Sequence, residues 1–418
     1  MNTSQVNIWT PSIRRFFFAL PLLFASNSRA LAASPASVAP AELTTEFNRL
    51  CDLAAPELLI LGRDTPHYAE AYAVRALCVA HDRTGRAMYL DSARAWAERM
   101  VELQSRMLPA GAYNMNGGRR PGANTGNWHV ADSASIAMGV LAVAVRAGEP
   151  ASRARYLGSV RAFADLVLAN WVGPNGGICN GHWPAFRDEW WCSTSIFASL
   201  LFLLHAETGA QRDLEVALGA IDWLNRLNLM TPGPVTIVER GGAIEIAPHQ
   251  NVFPPGGPMT IADRGATIPF YVLEAYSAAW PRLEAGSPRQ RLALAQFDRA
   301  LAWTDKHRGG ATASPAWDYT TLPALKIGGL PFHLLIAART FPERASLVAT
   351  ADEELRYIAR VLATHPNPSM KHIAPIHLRS MPQLAIFTLF SLAERVAPGA
   401  CYRSTNSARA PERQPRIP

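Results

Sequence analysis

Tyr89-Leu-Asp-Ser-Ala-Arg-Ala-Trp-Ala97 recurs as Tyr156-Leu-Gly-Ser-Val-Arg-Ala-Phe-Ala164. Both copies place apolar residues at helical spacing: Tyr89, Ala93, Trp96 and Met100 in one, Tyr156, Val160, Phe163 and Val167 in the other. Arg94, Glu98, Arg161 and Asp165 fall off that stripe, so each copy predicts a one-sided amphipathic helix. Similar stripes follow at Leu214, Leu218, Ile221 and Leu224, at Leu294, Phe297 and Leu301, and at Val348, Ala351, Leu355, Ile358 and Leu362.

Segments of another kind lie between them. Ile136–Val145, Ile196–Leu204, Ile268–Ala279, Leu330–Ala338 and Leu384–Leu392 are apolar on nearly every face, and Tyr68–Ala80 is a sixth, less apolar one. A helix apolar all round is buried on all sides. Alternation of buried and amphipathic helices fits two concentric layers with the buried set inside. Six inner segments predict an all-α fold, an (α/α)6 toroid of helical hairpins.

Loop lengths agree. Inner-to-outer connections are short, as at His81–Arg86 and Gly148–Ala151. Outer-to-inner connections are long: Pro109–Ala131, Val172–Trp191, Asn228–Ala262, Arg308–Ile327 and Pro366–Arg379. Loops of that length in a compact domain usually carry function, and here they all gather at one mouth of the toroid. The N-termini of the inner helices point into that mouth and favour anionic groups. Within the longest loop a short hairpin is expected at Val235–Val238 and Ala243–Ile246, about Gly241-Gly242.

The chain has 418 residues and a net charge of +7, with no basic run interleaved with aromatics. That argues against a nucleic-acid partner. Arg14-Arg15, the apolar run Phe16–Ala25 and the small-x-small step Ala30-Leu31-Ala32 read as an export signal over residues 1–33. The expected destination is the periplasm or the exterior, and the paired arginines also suit a twin-arginine route. Residues 34–40 form a Ser/Pro/Ala linker, 41–400 the toroid, and 401–418 a disordered tail. No later segment reads as a stable membrane anchor. An oxidising compartment permits disulfides, so Cys179 with Cys192, and next Cys51 with Cys78, are the expected pairs.

A second internal alignment locates the chemistry. Asp132-Ser-Ala-Ser-Ile136 matches Cys192-Ser-Thr-Ser-Ile196, and just before them stand Asn127-Trp128-His129 and Arg187-Asp188-Glu189-Trp190-Trp191. Both clusters therefore occupy the same mouth. Aromatic rings beside carboxylates suit a sugar, since ring faces stack on pyranose C–H faces while Asn, Arg and carboxylates hold hydroxyls. Trp128, Trp183, Trp190, Trp191, Trp317 and Tyr319, with Asn127 and Arg187, are the candidate substrate contacts; each aromatic is equally a candidate for packing. Asp132 is the candidate general acid or base, because burial at a helix start raises a carboxylate's pKa toward working pH. Asp before Ser-Ala-Ser is also a good helix N-cap, and both roles stay open. His129, Asp188 and Glu189 are the further catalytic candidates, a carboxylate pair being what glycoside hydrolysis needs. A histidine or tyrosine base would instead serve a β-eliminating lyase. No phosphate loop, dinucleotide fingerprint, HExxH or nucleophile elbow is present, so no cofactor or metal is expected.

With these residues in view, the pattern resembles the six-hairpin glycosidase superfamily and the related helical-toroid lyases and epimerases. Asn127-Trp-His-Val-Ala-Asp132 and Asp188-Glu-Trp-Trp-Cys192 carry the resemblance. It implies an exported carbohydrate-active enzyme, hydrolase or lyase, acting on a glycan that bears acidic groups. In the unsaturated glucuronyl hydrolases of that superfamily an Asp near an inner helix start serves as acid/base, and Asp132 is the matching position. The alternative is a non-enzymatic toroid that binds a glycan or a protein through the same mouth.

Overall fold

The structure is a computed structural model that describes residues 38–59, 67–114, 128–181, 189–226, 235–240, 243–248, 261–307, 328–364 and 381–406. Residues 1–33, where an export signal is expected, and most of the expected linker lie outside the described residues.

Among the described residues, twelve α-helices alternate between two layers. The outer layer is α1 (Ala41–Glu57), α3 (Ala87–Gln104), α5 (Pro150–Asn170), α7 (Gln211–Arg226), α9 (Pro288–His307) and α11 (Leu347–Thr364). The inner layer is α2 (His67–Thr84), α4 (Val130–Ala144), α6 (Trp191–Thr208), α8 (Ile261–Ala279), α10 (Leu330–Thr340) and α12 (Met381–Val396). Each inner helix packs on the next, and α12 packs back on α2, so the ring is closed. A hairpin of β1 (Val235–Arg240) and β2 (Ala243–Pro248) pairs antiparallel, with Val235 opposite Pro248 and Arg240 opposite Ala243, where the sequence places one. Among the described residues no helix is long and apolar enough to cross a membrane.

The outer stripes bury as their spacing requires. Tyr89, Ala93, Trp96 and Met100 of α3 are buried, as are Tyr156, Val160, Phe163 and Val167 of α5. In α7 the buried line runs through Asp213, Ala217, Ala220, Ile221 and Leu224, with Leu214 and Leu218 only half-buried at its edge. The sixth outer helix, α1, buries Leu43, Phe47, Leu50, Cys51 and Ala54, a stripe that the repeat does not reveal. Inner and outer helices approach closely where side chains are small. A Cβ on Gly139 of α4 would meet Ala71 and Trp96, each at 3.0 Å. Short hairpin turns close on glycine, as at Gly209, whose φ of 74° lets its N–H reach the His205 carbonyl at the end of α6.

The end of the toroid opposite the mouth is sealed. Arg75 of α2 and Glu274 of α8 lie across the ring from one another and pair at 2.9 Å, both essentially inaccessible. The Tyr402 hydroxyl donates to the same Glu274 Oε1 at 2.8 Å, and the Arg75 guanidinium lies over the Tyr402 and Phe390 rings. The chain after α12 is stapled to the other inner helices as well. Arg146, just past α4, donates to the Ala400 carbonyl at 3.2 Å; Arg339 of α10 and the Gly399 N–H both bind Glu394 of α12; the Thr405 N–H donates to Glu207 of α6 at 2.8 Å. The disordered tail expected from residue 401 is thus corrected: Cys401 is buried, and the ordered domain runs through Asn406. Above this floor, Tyr72, Phe270, Phe332, Phe387 and Phe390 fill the axis with tilted and edge-on ring contacts.

The expected disulfides are absent: all five cysteines are free thiols. Cys179 lies in a bridge with Glu189, its N–H bound to the Trp171 carbonyl at 2.8 Å. Cys192 starts α6 on the lumen side. Cys51 and Cys78 are fully buried in α1 and α2. Shared loop membership brings the first two near in sequence, but it does not by itself set the Cα separation and Cβ geometry that a disulfide requires.

Candidate active site

Four inner helices each carry a half-open residue near the mouth, next to buried ones. These are Tyr68 on α2, Asp132 on α4, Cys192 on α6 and Tyr271 on α8. They interact electrostatically. The Cys192 thiol feels the Asp132 carboxylate, and the Tyr271 hydroxyl feels Tyr72, Tyr68, Asp132 and Cys192. Together they form one level of the lumen, above the aromatic plug.

Asp132 is the centre of this level. Burial raises its pKa from 3.8 to about 7, because a charge there loses its water. It sits at the third residue of α4, where the helix dipole favours the anion; desolvation outweighs that. Capping is not its task. The N-cap is His129, with extended backbone and no side-chain cap bond. Of the two roles open from the sequence, the N-cap position is thus taken by His129, and Asp132 stands inside the first turn.

Among the described residues, its neighbours are uncharged hydroxyls and a thiol. Burial, and then the Asp132 charge, push the Cys192 thiol up to about 12. Tyr271 is held well above the ordinary phenol value, first by burial and then by the surrounding tyrosines, Asp132 and Cys192. Both stay protonated at neutral pH, as donors. The Trp191 ring backs Tyr271 at 6.2 Å between centroids, tilted by 34°. One turn deeper, Tyr72 places its hydroxyl by Ser135 of α4.

Asn180, which the sequence did not single out, ties the two helix starts together. Its side-chain amide donates to His129 Nδ1 at 3.1 Å, and its Oδ1 accepts from Ser193 Oγ at 2.9 Å. Its carbonyl accepts the Val130 N–H at 2.8 Å. One buried amide thus holds the N-cap of α4 and the first turn of α6 in fixed relation, and with them Asp132 and Cys192. Its signal in the sequence was only the turn Cys179-Asn-Gly181, where Gly181 has a φ of 79° and lies against Trp128.

The other candidates divide. His129 is buried and engaged with Asn180, a frame residue of the site. Trp128 is buried against Trp171, with rings 5.7 Å apart and edge-on, and Trp190 is also buried. Glu189 is not brought to Asp132. Its Oε1 accepts the Asn175 N–H at 2.8 Å, and its side chain fills the space over Gly173 and Gly177 beside Trp223 of α7. That position lies toward the outer layer, where the carboxylate pins the loop between α5 and α6. Among the described residues, Cys192, Tyr271 and Tyr68 are the groups near Asp132, with Trp191 behind Tyr271. Asn127, Trp183, Arg187, Asp188, Trp317 and Tyr319 lie outside the described residues.

No protein-family model matches the sequence, and a comparison with curated proteins finds no match. Solved structures do match in fold. A complex of a UGL variant with dGlcA-Glc-Rha-Glc superposes with a TM-score of 0.58 at 14% identity, over 86% of this chain and 97% of that one. An unsaturated glucuronyl hydrolase specific for heparin gives 0.57 at 11% identity, over 85% and 96%. An inactive variant of the alpha-1,6-mannanase from Salegentibacter sp., in complex with alpha-1,6-mannotetrose, gives 0.55 at 13% identity, over 84% and 99%. At these identities the likeness shows the fold alone, an (α/α)6 toroid.

Proposed function

We propose that this chain is an exported carbohydrate-active enzyme, a glycoside hydrolase acting on a glycan with acidic groups, in which Asp132 is the general acid and base. The observation that carries this reading is a half-open carboxylate at an inner helix start, titrating near neutrality in the lumen. At pH 7 such a group is present in both forms. It can protonate a leaving oxygen or take a proton from water, which is the condition for efficient proton transfer. Tyr271, Tyr68 and Cys192 supply neutral hydrogen-bonding groups and ring faces around it. Toroids of the same fold bind dGlcA-Glc-Rha-Glc and alpha-1,6-mannotetrose, which supports an oligosaccharide as occupant. Residues 1–33 as an export signal, and the periplasm or exterior as destination, belong to the same proposal.

A specific observation also favours a second reading. A base beside a neutral tyrosine is what β-elimination from a uronate needs, with Asp132 removing the proton and Tyr271 donating to the leaving oxygen.

Purified protein incubated with acidic and neutral oligosaccharides, followed by mass spectrometry of the products, separates the readings. A product heavier by one water per bond cleaved supports hydrolysis. Unsaturated, ultraviolet-absorbing ends support elimination. Binding without turnover on every glycan supports the non-enzymatic alternative and overturns the enzyme. Full activity in Asp132→Asn removes Asp132 from the chemistry.

A further inference from the structure

We infer that Cys192 is a positioning residue for Asp132: the thiol stands at the internally repeated position on the adjacent helix, beside the carboxylate, without adding a second charge. The inference rests on Asp132 being the acid/base.

Three observations meet here. Asp132-Ser-Ala-Ser-Ile136 and Cys192-Ser-Thr-Ser-Ile196 are equivalent in the repeat, and their helices α4 and α6 pack side by side from the same mouth. Asn180 bonds to both helix starts, so the two side chains cannot drift apart independently. Cys192 is also the one cysteine of the five that is not buried. The others are locked in packing; this one faces the lumen level that Asp132 and Tyr271 share.

The chemistry of the pair follows from what else faces it. From α2 come Tyr68 and Tyr72, from α8 Tyr271, and from α6 Cys192 itself. The charged groups of α2 are committed elsewhere: Glu70 accepts from Trp96 and is engaged by His67 and Arg99, and Arg75 is paired with Glu274 below the plug. His129, before α4, is bound to Asn180, and Glu189, before α6, to Asn175. A carboxylate at position 192 would make a like-charged pair that shares one proton and titrates in two separated steps. A thiol keeps Asp132 a single titrating group with one pKa, able to act as acid and then as base in one cycle.

The coupling can be read without any glycan. Folded full-length protein is alkylated with iodoacetamide at pH 8, and the rate at Cys192 is followed by mass spectrometry. Removing the neighbouring charge in Asp132→Asn lowers the thiol pKa, so Cys192 alkylation is expected to accelerate on the order of tenfold. Continued protection of Cys51, Cys78, Cys179 and Cys401 certifies that the variant is folded. An unchanged Cys192 rate in a folded variant overturns the inference. The pH profile of glycan turnover gives the second readout. Cys192→Asp is expected to shift the limb assigned to Asp132 by about one unit or more, and Cys192→Ser to retain the wild-type profile. An unshifted profile in Cys192→Asp also overturns the inference. Should the protein turn over no glycan while the alkylation coupling is present, the functional reading fails and the coupling stands.

Discussion

Two of the carboxylates on the inner helices, Glu274 at the floor and Asp132 near the mouth, meet opposite surroundings. Glu274, at the floor, is met by the Arg75 guanidinium and the Tyr402 hydroxyl. Asp132, near the mouth, is met by a thiol and tyrosine hydroxyls, and no ion pair to it is found among the described residues. Both are removed from bulk water. The paired carboxylate becomes a strut that joins opposite sides of the ring. Asp132, among uncharged described neighbours, holds its proton up to about pH 7, the condition that the proposed proton transfer requires. Burial alone therefore does not distinguish structural from functional acids; the identity of the facing group does.

The sharpest way to break this comparison is Asp132→Asn. Turnover is expected to fall by about two to four orders of magnitude, measured as kcat on the best glycan found, with binding retained. The floor should respond in the opposite manner. Arg75→Met leaves Glu274 buried without its cation and is expected to cost roughly 3–5 kcal/mol of stability, read by urea unfolding. The double variant Arg75→Met/Glu274→Met should recover most of that loss. A floor that tolerates Arg75→Met without loss would show that the ion pair is not a strut.

Stability against pH sharpens the same contrast. The folded pKa of Asp132, about 7, lies above its ordinary 3.8. Its folding contribution is therefore whole below pH 4 and is lost as pH rises through 7, by up to on the order of 4 kcal/mol. Asp132→Asn should abolish this loss, so the variant that loses activity gains stability at pH 8, the trade expected of a functional site. His333 of α10 has the reverse sign. Burial among the core rings lowers its pKa from 6.5 to about 3, so stability falls as pH drops from 6.5 toward 3. His333→Leu should flatten that acid limb. Unfolding free energies of the three proteins from pH 4 to pH 8 test both signs. The smallest expected effect is Tyr402→Phe, roughly 1.5–3 kcal/mol for one hydrogen bond to a charged partner, with turnover unchanged because the hydroxyl lies below the aromatic plug.

The sequence by itself determined the layered helices and the address of the mouth. Stripes such as Tyr156, Val160, Phe163 and Val167 are local periodicities, and a helix turns them into one buried face wherever it sits. All-apolar runs such as Ile196–Leu204 leave no polar face, so they must lie inside. Asp132 was legible for the same reason: the repeat Asp132-Ser-Ala-Ser against Cys192-Ser-Thr-Ser marks two helix starts without any tertiary information. Tertiary structure alone decided which groups meet across the lumen. Tyr271 is 139 residues from Asp132 in the chain, and no spacing rule connects them. Glu189 stood in the right cluster, yet the glycines at 173 and 177 drew its side chain toward the outer layer. The Cys179–Cys192 pairing failed similarly, because loop membership says nothing about direction. The floor was invisible as well, since Arg75, Glu274 and Tyr402 lie 199 and 128 residues apart in sequence. Periodicity encodes which face of an element is buried; closure of the ring sets what that face meets.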